Sequence, residues 1–415
     1  MAQPLQRRRA YLSDPFCRYN VEAMLRFIYR VFLLWVALTL CCAANGNGED
    51  RSGKTGPYDK AFIPAKICGE CHKEIYQMWE TSMHAHAADD PIFEASFALA
   101  YLQAGEKAKI LCLRCHAPTT LLTQDYEKRL AITDEGVTCD FCHSVLSVDL
   151  STSGDPFFMN LEMFKEIDWR RGRSFHDRRI SGLLRRSEFC AGCHEFTGKN
   201  GVSLLGTYSE WKGSSFATDD LQCQGCHMPL VGGGVKDHRM VRLKETLPPE
   251  KGSADSSEDT HVHAEELEVR VEKVQRKGGN LSVTVRLRNS GTGHRVPTGL
   301  PSRSLELICQ VRTAPQGEVL SRSKIYRKKV VEVESGEIFG NDSGFFLKPA
   351  KIVEDNRPAP RETLTEEFKF LVPPDSDLHV KAYVNYRYQP VLLQKTEMTI
   401  HGSEDEKAVD AVHDP

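Results

Sequence analysis

CGECH (Cys68–His72) is written once near the start of the chain and four times more, as CLRCH (Cys112–His116), CDFCH (Cys139–His143), CAGCH (Cys190–His194) and CQGCH (Cys223–His227). Composition alone would give on the order of 0.02 such matches in a chain of this length, so five are a repeated device. The motifs hold Cys68, Cys71, Cys112, Cys115, Cys139, Cys142, Cys190, Cys193, Cys223 and Cys226, and end on His72, His116, His143, His194 and His227. Of the other four cysteines, Cys17, Cys41 and Cys42 lie in the first 44 residues. Cys309 shares one face of the strand-like SLELICQVR with Leu305, Leu307 and Val311, which reads as a buried inert thiol.

The spacing has a chemical reason. Two thiols three residues apart can add to the two vinyl groups of one haem, and the adjoining histidine then lies under the iron as its proximal ligand. Five motifs imply five covalently attached c-type haems. Zinc would use two CxxC pairs per site, which ten cysteines do not divide into evenly, and would leave five histidines unexplained. A disulfide framework leaves the same histidines idle, and a thioredoxin-like CxxC would occur once.

Compartment agrees with this chemistry. MLRFIYRVFLLWVALTLCCAA (Met24–Ala44) carries two arginines, an apolar run at Val31–Leu40 and then small residues, the pattern of a secretory signal cut near Ala44, with Met24 as the true start. The run is short for a membrane span. A twin-arginine reading of Arg7–Arg9 places the arginines too far from the apolar run, and lipidation at Cys41 or Cys42 meets a bulky Leu40. An uncleaved anchor is the remaining alternative. The expected location is the bacterial periplasm or outer cell surface, free or membrane-anchored.

The 415 residues suffice for two or three domains. The expected division is a signal segment at 1–44, a haem domain at 45–246, a polar linker at 247–264, a β-domain at 265–400 and an acidic tail at 401–415. In the haem domain, short helices and loops would wrap macrocycles that themselves form the core. Beyond the linker, LSVTVRL aligns Leu281, Val283, Val285 and Leu287 on one face, and LHVKAYVNY aligns Leu378, Val380, Ala382, Val384 and Tyr386. With ELEVRVEKV, SLELICQV, KKVVEVE and TEEFKFLV this predicts an all-β sandwich of immunoglobulin-like type.

Ten of the fifteen histidines lie outside the motifs. His379, His401 and His413 fall near the C-terminus, leaving His84, His86, His176, His238, His261, His263 and His294 as candidates for the far side of five irons. If CHKEIYQMWETSMHAHA runs on as one helix, His72 sits about 18 Å from His84 and about 21 Å from His86. Two axial nitrogens on one iron are about 4 Å apart. His84 or His86 should therefore serve a different motif, the other being exposed. The alternatives are a loop histidine for His238, a propionate or solvent contact for His176, a solvated linker for His261 and His263, and a turn residue for His294.

Net charge is −3, which gives no reason to expect nucleic acid. The basic run WRRGRSFHDRRISGLLRR (Trp169–Arg186) suits the propionates of five haems better than an acidic partner.

CGECHKEIYQMWETSMHAHA resembles the opening of multihaem cytochromes of the c-552/c-554 type, as do LCLRCHAP, EGVTCDFCHSV, EFCAGCH and CQGCHMP followed by HRM. NSGTGHRVPTGLPSR resembles a segment of β-domains attached to many such proteins. The resemblance implies electron transfer through closely stacked, mostly bis-histidine haems, with His84, His238 and His294 as distal ligands. Four-motif members differ in haem count, so their haem connectivity does not transfer. Expected partners are other cytochromes or a membrane quinol-linked complex; membrane association and self-assembly stay open. A reductase of small nitrogen or sulfur oxyanions with one open iron is the alternative, and it is disfavoured because all five motifs end in histidine.

Overall fold

The computed structural model describes residues 61–151, 155–160, 182–240, 267–313, 317–339, 342–388 and 398–409. The expected signal segment, the linker, most of the basic run, His176, His261 and His263 lie outside these residues. No helix among the described residues is long and apolar enough to cross a membrane.

In the motif-bearing half the helices are short, and four end on or just past a motif histidine. They are Glu106–His116, Cys139–Ser144, Ser187–His194 and Cys223–His227. Cysteines at i and i+3 on such a turn share one face, which aims both thiols the same way. Small hairpins connect the helices: β1 (Val145–Val148) with β2 (Phe157–Met159), β3 (Glu195–Thr197) with β4 (Ser203–Gly206), and β5 (Leu230–Val231) with β6 (Val235–Lys236). Apolar packing is broken into small clusters, such as Phe62, Ile132, Phe141, Val145 and Phe157, or Ala191, Tyr208, Trp211 and Phe216. The motifs are set tightly into these clusters. A Cβ at Gly192, between the cysteines of CAGCH, would meet the Phe157 ring at 2.3 Å.

One local expectation is corrected. The helix after the first motif spans Lys73–Glu80 and does not run on to Ala87. Thr81 caps it, and Ser82 turns the chain through bonds from Ser82 N to Trp79 O and from Ala85 N to Ser82 Oγ. Trp79 anchors the helix by burying its ring and donating from Nε1 to Val137 O at 2.9 Å.

The sandwich forms as the alternation requires. One sheet has the order β12 (Thr363–Leu371), β8 (Asn280–Asn289), β7 (Leu267–Lys277). The other has the order β11 (Ala350–Asp355), β10 (Val319–Glu332), β9 (Arg303–Thr313), β13 (Leu378–Tyr388), β14 (Met398–Val409). This is the strand arrangement of an immunoglobulin-like sandwich with extra strands on its second sheet. Leu281, Val283, Val285 and Leu287 meet Leu305, Leu307, Cys309 and Val311 across the core, joined by Leu378, Val380, Ala382 and Val384. Cys309 is fully buried, and burial pushes its thiol up to about 12.

The acidic tail expected from His401 is, as far as Val409, the last strand. β14 pairs with β13 from Met398 to Val409. Its acidic residues meet cations across the strand pair: Lys381 Nζ lies 2.8 Å from Glu404 and 3.1 Å from Glu406. Asp405 Oδ2 accepts from Val271 N on β7 at 2.8 Å, linking the two sheets at this end.

Residues Tyr58–Pro415 form one compact unit. β4 of the motif-bearing half packs Leu204 against Val330, Phe345 and Ala350 of the sandwich side. Asn200 Nδ2 donates to Ala350 O at 2.6 Å, and the buried Lys328 ammonium donates to Leu204 O. Burial lowers Lys328 from 10.5 to about 8. Its folded value lies below its unfolded one, so between pH 8 and 10.5 the unfolded chain binds the extra proton and stability rises with pH. Lys328→Met should therefore raise the urea midpoint most at neutral pH, with the difference from the native protein shrinking as pH approaches 10.5. A difference that stays constant with pH would count against a buried charged lysine.

Candidate metal centres

Two motif imidazoles face an imidazole from elsewhere in the chain. His227 and His294 have ring centroids 6.3 Å apart and planes within 13° of parallel. His194 and His84 have centroids 6.1 Å apart and planes at 90°. A separation of about 6 Å is what two imidazoles need to ligate one metal from opposite sides, each nitrogen about 2 Å from it. Among the described residues no three His, Cys, Asp or Glu side chains converge as a metal cage. Opposed pairs suit an iron whose four remaining ligands come from a macrocycle, so the residues present fit haem.

His84 is held by the third motif's lead-in rather than by its own helix. Val137 N donates to His84 O at 2.9 Å. Gly136 has φ +61°, and a Cβ there would lie 2.5 Å from the same carbonyl. Glu135 locks this lead-in to the first motif, its Oε2 accepting from Ala65 N at 2.9 Å and Thr138 Oγ1 at 2.8 Å. His86 points outward, with Nδ1 3.3 Å from Asp89 Oδ1. The SMHAHA pair thus divides: His84 faces the fourth motif, and His86 is exposed.

His116 is half-buried, and its desolvation lowers its pKa and favours the neutral ligand form. Its Nδ1 donates to Ala87 O at 2.8 Å, leaving Nε2 as the ligating nitrogen. Phe93 stacks on the ring from a helix (Pro91–Ala104) that Asp90 caps with two bonds of 2.8 Å. His294 is likewise kept neutral by burial, with Nδ1 3.0 Å from Arg295 O. His238 uses Nδ1 on Lys236 O at 2.7 Å. Its neighbour Arg239 forms three side-chain bonds of 2.6–3.0 Å to buried Asp237, which outweigh burial and hold that carboxyl low. Arg239 also borders an open cleft of about 640 Å³ whose far wall is Glu74, Gln77 and Met78, after the first motif. His72 is the exposed N-cap residue of that helix, and His143 lies in the helix Cys139–Ser144.

Thiols of different motifs meet. Cys68 lies beside Cys139, Cys115 beside Cys193 and Cys223 beside Cys190, and sharing a hydrogen bond with its neighbour holds each of Cys68, Cys115 and Cys223 below the ordinary thiol value. Cys142 is close enough to Cys190 and Cys193 to raise both electrostatically. Burial pushes Cys112 and Cys142 up to about 12. The first motif therefore adjoins the third, and the fourth adjoins the second, third and fifth.

The cytochrome c554 and c-prime family matches residues 67–144, which carry the first three motifs. A penta-heme cytochrome c552 from Thermochromatium tepidum is similar in structure over 84% of this chain and 99% of its own, at 22% identity and TM-score 0.62. A match of that breadth spans both halves, and at that identity it is a likeness of fold. β-Glucosidase 3B from Thermotoga neapolitana in complex with glycerol matches 34% of this chain and 16% of its own, at 11% identity and TM-score 0.14. A PapD-like domain of human CEP192 matches 40% of this chain and 97% of its own, at 12% identity and TM-score 0.16. Neither of these two carries an argument. No curated protein matches the chain. The first match likens residues 67–144 to the cytochrome c554 and c-prime family, and the second shows a fold shared with a penta-heme cytochrome c552.

Glu210, Arg357 and Asn289, which surround His294, carry no sequence signal, because their partners are distant in the chain. The EGVTC stretch did offer one in Gly136. Gly136→Ala should cost more than about 1 kcal/mol in urea unfolding, since an L side chain is strained at this φ and collides with His84 O. In the oxidised holoprotein, His84→Ala should convert about one haem equivalent from low to high spin by EPR, and His86→Ala none.

Proposed function

We propose that this chain is an exported pentahaem relay, carrying five covalently attached c-type haems that are mostly bis-histidine ligated. The observation that carries this reading is the pair of opposed imidazoles, His84 with His194 and His294 with His227, at the separation one iron requires. An iron with two strong axial ligands exchanges electrons and has no position for substrate. His238 is assigned to the first motif, because its loop and the helix after that motif line one cleft. The meeting thiols support attachment points crowded enough for haem edges to touch. Bound haem supplies one-electron redox chemistry; the chain's residues set spacing, ligand identity and burial.

The adjacency of motifs makes the fourth a junction to the second, third and fifth, with the first reached through the third. The first and fifth motifs stand at ends of this run of contacts, so these ends are where redox partner proteins would exchange electrons. Such partners would be other cytochromes or a membrane quinol-linked complex. The periplasm or outer surface is the location in which the Met24–Ala44 segment and haem attachment agree.

Haem content and EPR of the oxidised holoprotein test the reading. Five haems per chain, all low-spin, is the expected result. A high-spin signal worth one haem in the native protein would instead favour a reductase of small nitrogen or sulfur oxyanions. Fewer than five haems would remove the premise.

A further inference from the structure

We infer that Glu210 and Arg357 are positioning residues for His294, so that seating of the β-sandwich decides whether the fifth motif's iron has its second axial ligand. This rests on the reading of His294 as that ligand.

The loop that carries His294 is held on every side by groups that bond its backbone. Arg357 is 3% exposed. Its Nη1 donates to Pro297 O at 2.8 Å, and its Nη2 donates to Glu210 Oε1 at 2.7 Å. Asp355 takes further bonds from Nε and Nη2 at 2.7 Å each, which fix the plane of the guanidinium. Arg357 O in turn accepts from Arg295 Nη1 at 2.6 Å. Glu210 belongs to the motif-bearing half, in the helix Thr207–Lys212. Its second oxygen accepts from Arg295 N at 3.1 Å and Thr298 Oγ1 at 3.0 Å. The residue next to the ligand is thus bonded directly across the two halves. On the sandwich side, Asn289 Nδ2 and Thr292 Oγ1 donate to His294 O at 3.0 and 2.8 Å.

The other flank has no slack. A Cβ at Gly293 would lie 3.0 Å from Trp211 and 3.3 Å from Phe216, so the backbone itself packs on the motif-bearing half. Arg361 covers the far side of Phe216, 4.4 Å from the ring centre. Glu210 and Arg357 form a largely buried pair bridging the halves; removing Arg357 leaves Glu210 without its charged partner, and removing the Glu210 charge leaves Arg357 paired to Asp355 alone and no longer tied across the halves. A buried bidentate cation fixes orientation as well as contact. Loss of either side frees the Arg295–Thr298 backbone and, with it, the imidazole that faces His227.

The test uses the full-length holoprotein. His294→Ala, Arg357→Met and the shape-conserving Glu210→Gln are compared with Asn200→Ala, which removes the junction bond to Ala350 O and touches neither Glu210 nor Arg357. High-spin EPR intensity and CO bound by the reduced protein are both scored per chain. His294→Ala should give about one high-spin equivalent and one CO. Arg357→Met and Glu210→Gln should give a substantial fraction of that equivalent, and Asn200→Ala none. If His294→Ala stays fully low-spin, the ligand assignment falls and the inference with it. If His294→Ala opens an iron while Arg357→Met and Glu210→Gln stay fully low-spin, the inference is overturned and the ligand assignment stands. A high-spin signal in Asn200→Ala equal to theirs would also overturn it, by making any damage to the junction sufficient. Glu210→Gln keeps the test decisive if Arg357→Met does not fold.

Discussion

An iron held between two imidazoles fixes them at about 6 Å, and neither can be displaced far without losing a bond. Under the proposed haem ligation, that constraint organises this molecule. A motif supplies one imidazole by local spacing alone. The opposing one comes from a distant segment, so each ligand pair is a tertiary contact stronger and more directional than apolar packing. His84 reaches the fourth motif from just beyond the first, and His294 reaches the fifth from inside the sandwich. The apolar clusters of the motif-bearing half are modest, and in the proposed relay ligation and macrocycle contact would supply much of what holds it together.

The sandwich obeys a different rule and was read from sequence accordingly. Leu281, Val283, Val285 and Leu287 lie on one face because strand side chains alternate, and all four are buried. The same reasoning missed β14, whose run of Ser403, Glu404, Asp405 and Glu406 has no apolar face. It is a strand because Lys381 stands opposite the glutamates and β7 offers donors to Ser403 and Asp405. Cross-strand complementarity of this kind depends on a partner that a one-dimensional pattern does not display.

The site divides in the same way. Motif cysteines and histidines are legible because their geometry is local. The distance estimate for the SMHAHA histidines assumed a helix that stops at Glu80, and the structure sets His84 beside His194 of the fourth motif. What fixes the choice between His84 and His86 is Gly136, whose positive φ brings Val137 N onto the His84 carbonyl. The clamp on His294 left no trace in sequence. Glu210 and Arg357 are 147 residues apart, and each alone is an ordinary surface-type residue.

His294 lies well downstream of the motif it faces, in a segment with its own core. A chain delivered amino end first exposes Cys223, Cys226 and His227 to haem attachment before the sandwich exists. On the proposed ligation, completion of the fifth centre would wait until the carboxy-terminal part has folded and docked, and a chain lacking the sandwich would keep that centre incomplete.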